Sequence, residues 1–90
     1  MTYTSPIGNG LELGAAIRAR RDGARLTQQQ LAERAGVSRA FVIDLERGQR
    51  PRAELFRVLA VVRALGAAVT LVDHRAQTAE DVLAELLGEP

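Results

Sequence analysis

The chain contains no cysteine, which excludes a disulfide framework and a thiolate metal site. Its single histidine, His74, is too little for the ligand set of a typical zinc site. No apolar run approaches the ~20 residues that a bilayer-spanning helix needs. The polar start MTYTSPIGNG has neither the charged region nor the apolar stretch of a signal peptide. A cytoplasmic location, nucleoid-associated if the chain binds DNA, is therefore expected. There is no glycine-rich phosphate loop and no plausible nucleophile–base pair, so the expectation is a protein that is not an enzyme and needs no metal or cofactor. Lysine is missing too. All twelve basic residues are arginine, the better bidentate ligand for phosphate and guanine.

What is present fits one small domain. Of the 90 residues 47% are apolar and 26% charged, the balance of an ordinary soluble globular chain. The net charge is only +1, but it is unevenly spread. From Leu11 to Arg57 ten arginines face six acids, giving +4, and from Val58 to Pro90 two face five, giving −3. A basic front and an acidic tail suit a chain whose first part meets an anionic partner.

Residues 1–10 mix Ser, Pro, Gly and Asn and read as a flexible arm. From Leu11 the spacing turns helical, with Leu13, Ala16 and Ile17 on one face and Arg18 and Arg21 on others, fading near Gly23. Thr27 and Gln30 have the spacing of a capping box and open a second helix, with Leu31 and Ala35 inward and Gly36 at its end. Ser38 caps a third helix over residues 39–47 with Val42 and Leu45 inward, closed by Gly48. The connection Gly36-Val37-Ser38 is so short that the two helices must cross steeply. After the loop Gln49-Arg50-Pro51-Arg52, a fourth helix carries Leu55, Phe56, Leu59, Val62 and Leu65 as its expected core stripe and stops at Gly66.

The segment 67–74 has the β-branched residues Val69, Thr70 and Val72 and reads as a strand, with continuation of the fourth helix as the alternative. A lone strand would leave its amides and carbonyls bare, so pairing of Val69, Thr70, Leu71 and Val72 with a second copy is the expected solution. Thr78-Ala79-Glu80-Asp81 then reads as a capping box that opens a short acidic, amphipathic tail over residues 75–90, striped by Val82, Leu83, Leu86 and Leu87.

The run Leu26-Thr27-Gln28-Gln29-Gln30-Leu31-Ala32-Glu33-Arg34-Ala35-Gly36-Val37-Ser38, followed by Phe41-Val42-Ile43-Asp44-Leu45-Glu46-Arg47-Gly48, resembles the helix-turn-helix of the Xre/Cro-type repressor family. The likeness covers residues 11–66. It implies an all-α, lambda-repressor-like bundle with one short C-terminal β-strand pairing across a homodimer. It also implies an internal ion pair between Arg21 and Glu46. Two positions depart from the family pattern: Arg25 stands where glycine is common, and Arg20 where an apolar residue is frequent.

The residues support a DNA-facing reading on their own terms. The first turn of the third helix would enter the major groove, with Ser38, Arg39, Ala40, Phe41 and Ile43 as candidate base contacts and partial packing the rival role for Phe41. Arg39 is the foremost candidate, since its guanidinium can hold guanine O6 and N7 together, while Ala40 or Ile43 can meet a thymine methyl. Gln28 and Gln29 at a positive helix start, and Arg47, Gln49, Arg50 and Arg52 after the third helix, are the candidate phosphate contacts. The segment after the fourth helix is similar to the HipB-type antitoxins, which implies a dimer on inverted-repeat double-stranded DNA and a HipA-like kinase toxin as partner. Val82, Leu83, Leu86 and Leu87 are then the candidate toxin-binding residues, the other possibility being that the tail docks on its own domain. A stand-alone repressor without a toxin stays open as a second reading, and an interaction module that no longer binds DNA as a third.

Overall fold

The computed structural model describes residues 6–50, 52–73, 83 and 86–88. Among them are four helices: α1 (Gly10–Gly23), α2 (Gln28–Ala35), α3 (Arg39–Glu46) and α4 (Leu55–Ala64). None is long and apolar enough to cross a membrane.

Local chemistry sets the boundaries. The Asn9 side chain accepts from the Glu12 amide at 2.8 Å, and the Glu12 carboxylate accepts from the Gly8 amide at 2.8 Å, so the supposed arm ends as a helix cap. The α2 capping box is formed as the sequence predicts. Thr27 Oγ1 accepts from Gln30 N at 3.0 Å, and Gln30 Oε1 accepts from Thr27 N at 2.9 Å. Gly36 ends α2 in the left-handed region at φ 72°, where a side chain would be strained. Two residues later Ser38 Oγ accepts from Phe41 N at 3.0 Å and starts α3.

The core joins Ile17 from α1, Leu31 and Ala32 from α2, Phe41, Val42 and Leu45 from α3, and Val61 from α4, all essentially buried. Helix α2 packs on both α3 and α4, while α1 packs on α3. That last contact is close because α1 has no side chain at Gly14. A Cβ there would overlap the carbonyl oxygens of Leu45 and Glu46.

Three expectations are corrected. The buried stripe of α4 is only partly the one expected: Val62 is inside and Leu65 partly covered as expected, with Val61 inside and Val58 partly covered in addition, whereas Leu55 is 64% and Phe56 77% exposed. Both sets fit a helical period, and only packing on α2 selects between them. Phe41 is a core residue, 2% exposed, and shows no ring surface to a base edge. Residues 67–73 form neither a continuation of α4 nor a strand among the described residues. Val69, Leu71 and Val72 stand exposed. Of the tail, Leu83, Leu86 and Leu87 are exposed and Leu87 N donates to Leu83 O at 3.0 Å. Val82 and the Thr78 capping box lie outside the described residues.

Arg25 explains its own departure from the family pattern. It sits at φ 58°, the left-handed conformation that glycine adopts without strain, while Arg25 N donates to Asp22 O and Leu26 N to Arg21 O. The corner between α1 and α2 is thus built as usual, with a strained residue in it. Such a conformation costs about 1–2 kcal/mol in a residue with a Cβ, partly offset by the ~0.4–1 kcal/mol of chain entropy that a glycine would add to the unfolded state. Arg25→Gly is expected to raise the melting temperature by a few degrees, measured by calorimetry; a lowered value would contradict the strain.

Candidate nucleic-acid interface

The starts of α2 and α3 and the outer face of α1 enclose an open cleft of about 680 Å³. Its walls are Arg18 and Arg21 from α1, Thr27, Gln28 and Gln29 from the start of α2, and Arg39, Ile43, Glu46 and Arg47 from α3 and its end. The sequence-predicted residues Gln28, Gln29, Arg39, Ile43 and Arg47 are therefore brought to one surface. Ser38 and Ala40 are exposed at the entrance of α3, outside the cleft wall, and the Ser38 hydroxyl is occupied as a cap. Gln49, Arg50 and Arg52 are exposed but do not line it.

The cleft is organised from below by a buried ion pair. Arg21 Nε donates to Glu46 Oε2 at 2.6 Å and Arg21 NH2 to Glu46 Oε1 at 3.0 Å, a two-pronged contact. The side chains are 11% and 4% exposed. Arg21 NH1 also donates to Leu26 O at 2.9 Å, and Gln28 Nε2 donates to Glu46 Oε1 at 3.2 Å. One carboxylate thus ties α1, the α1–α2 corner, the first residue of α2 and the last of α3. The hydrogen bond to Glu46 raises the Arg21 pKa above its ordinary value, with burial acting against it and the charges of Glu46 and Asp22 adding to it. A raised arginine value means that its stabilising effect is present below the arginine's ordinary value for as long as Glu46 is ionised, and is lost as the pH rises into strong alkali.

With Arg21 and Glu46 neutralising each other, Arg18, Arg39 and Arg47 leave the cleft with three positive charges. Neither Arg39 nor Arg47 forms an ion pair among the described residues. Three of the expected anchors are already engaged, wholly or in part. Gln29 Nε2 donates to Glu33 Oε1 at 3.1 Å on its own helix, and Gln28 keeps one amide hydrogen beyond its bond to Glu46. Arg50 lies 3.5 Å from Asp44 and 5.0 Å over the Phe41 ring, so it packs against α3. Arg18 was not among the sequence-predicted contacts. Its signal was the three-residue spacing from Arg21, which puts both on neighbouring positions of α1.

Residues 12–74 match a family described as a helix-turn-helix domain. An HTH-type transcriptional regulator of Sinorhizobium fredii is 38% identical over 61 residues, which are 68% of this chain and 79% of that protein. The immunity repressor of Bacillus phage phi105 is 40% identical over 62 residues, 69% of this chain and 42% of the repressor, so the chain spans less than half of that relative. A chain of the solved HipA-HipB-O2-O3 complex superposes with a TM-score of 0.71 at 23% identity, covering 80% of this chain and 100% of that one. At that identity the likeness speaks for the fold alone.

Removing Glu46 would leave the part-buried Arg21 guanidinium without its carboxylate partner. Breaking one side of such a pair costs about 3–5 kcal/mol, a large share of the ~5–15 kcal/mol that holds a small domain folded. Glu46→Ala is expected to lower the denaturation midpoint steeply in a urea titration, and an unchanged midpoint would contradict the central place given to the pair.

Proposed function

The chain belongs to the helix-turn-helix family of transcriptional regulators, and on that footing we propose that it is a dimeric, sequence-specific repressor of its own operon that also serves as the antitoxin of a HipA-type kinase toxin. The observation that carries the DNA-binding part is the cleft, where Arg39 at the start of α3 and Arg47 at its C-cap, in no ion pair among the described residues, stand beside the start of α2. Helix α3 enters the major groove. Arg39 reads a guanine through O6 and N7, Ile43 and Ala40 meet a thymine methyl, and Ser38 borders them. Gln28 and Arg47 hold the flanking phosphates, helped by the positive end of the α2 helix.

Two copies paired through residues 69–72 would place their recognition helices about one turn apart, ~34 Å, on an inverted repeat. The exposure of Val69, Leu71 and Val72 supports that pairing. The antitoxin role rests on the exposed apolar side chains Leu83, Leu86 and Leu87 in an otherwise acidic tail, which offer a partner an apolar face. A stand-alone repressor is the second reading, favoured by the 40% identity with a phage immunity repressor.

A gel-shift titration on DNA upstream of the chain's own gene, with and without the product of the adjacent gene, separates these readings. Tight, salt-sensitive binding that the neighbour's product supershifts is the expected result. Binding without a supershift selects the stand-alone repressor, and no binding at low salt overturns both. On the bound site, Arg39→Ala is expected to relax discrimination at one base pair, with a cost of about 1–3 kcal/mol; a uniform loss on all sequences would remove Arg39 from the base-reading role.

A further inference from the structure

We infer that Arg18, on α1 and outside the helix-turn-helix proper, is a third-element phosphate anchor for the DNA backbone, restrained in the free protein by Asp22. This rests on the operator-binding reading above and adds a residue to it. Arg18 lines the same cleft as Gln28, Arg39 and Arg47, on the wall formed by α1. Its side chain is 69% exposed and its ion pair is with Asp22 at 3.9 Å, one helical turn away.

Asp22 is itself shared, lying 3.3 Å from Arg21, and its side chain is 61% exposed. An exposed pair at the outer limit of contact holds a guanidinium weakly, whereas a phosphate offers two oxygens to the same planar fork. Arg18 therefore transfers from Asp22 to the phosphate when DNA enters. The cations of the cleft stand on separate elements, Arg18 on α1 and Arg39 and Arg47 at opposite ends of α3. That distribution suits a polyanion running along the cleft better than a single bound oxyanion. It also places a backbone contact on the helix facing the recognition helix, so that the strand is gripped from two sides.

The test is fluorescence-anisotropy binding to the upstream duplex and to a scrambled duplex, over a salt series, for the wild type, Arg18→Ala, Arg18→Lys, Asp22→Asn and the double variant R18A/D22N. Arg18→Ala should weaken binding to both duplexes by roughly tenfold at ~0.1 M salt and lower the salt slope by about one. Arg18→Lys should keep the slope. Asp22→Asn should tighten binding when Arg18 is present and have no effect in the Arg18→Ala background. An unchanged slope for Arg18→Ala, or an Asp22→Asn gain that is the same with and without Arg18, overturns the inference while leaving operator binding intact. Failure of the wild type to bind either duplex overturns the operator reading itself. Thermal melting of each variant separates a folding defect from a lost contact, and Arg18→Ala, exposed as it is, should melt with the wild type.

Discussion

A single buried carboxylate, Glu46, sits where three helices meet, and the arrangement of the cleft depends on what it holds. Its two oxygens accept from Arg21 and from Gln28, and Arg21 in turn caps the carbonyl of Leu26. A charge in so covered a position at the cleft floor is costly unless its partners are in place, so the network favours one geometry over others. That geometry fixes the start of α2 against the end of α3. The two surfaces proposed to face one DNA duplex together are thereby locked in relation to each other.

The same junction explains why α1 contains a glycine on its inner face. Gly14 lets the helix approach the Leu45 and Glu46 carbonyls so closely that a methyl group does not fit. Close approach brings Arg21 within reach of Glu46, and it carries Arg18 to the rim of the cleft. Packing, polar pairing and the candidate DNA surface are therefore one construction. Above it the cleft stays open, with Arg39 and Arg47 in no ion pair among the described residues, while Arg50 pairs with Asp44.

The parts legible from the sequence were those set by local chemistry. The Thr27–Gln30 box, the Ser38 cap and the Gly36 stop each act within four residues, and the helices begin and end accordingly. The Arg21–Glu46 pair was legible only through resemblance, since nothing local joins residues 25 positions apart. The inner face of α4 was only partly legible: Val62 and Leu65 belong both to the expected Leu55–Phe56–Leu59–Val62–Leu65 stripe and to the observed Val58–Val61–Val62–Leu65 stripe, and the choice between the two belongs to α2. Phe41 was open between reader and core for the same reason, one turn from residues of both kinds. The strand expected at 67–74 is not formed at residues 67–73, and β-branched composition alone did not separate it from an irregular segment. Arg18 was hidden by its place on α1, away from the motif that drew attention.

The central claim is that the cleft between α1, α2 and α3 is the face that meets DNA. Amide chemical-shift mapping of the nitrogen-15-labelled chain, titrated with a duplex from upstream of its gene, tests this most directly. The account predicts the largest shifts at Thr27, Gln28, Gln29, Ser38, Arg39, Ile43 and Arg47, with the Leu55–Phe56 face of α4 little changed. Shifts concentrated on Leu55 and Phe56, with the cleft amides unmoved, would contradict it.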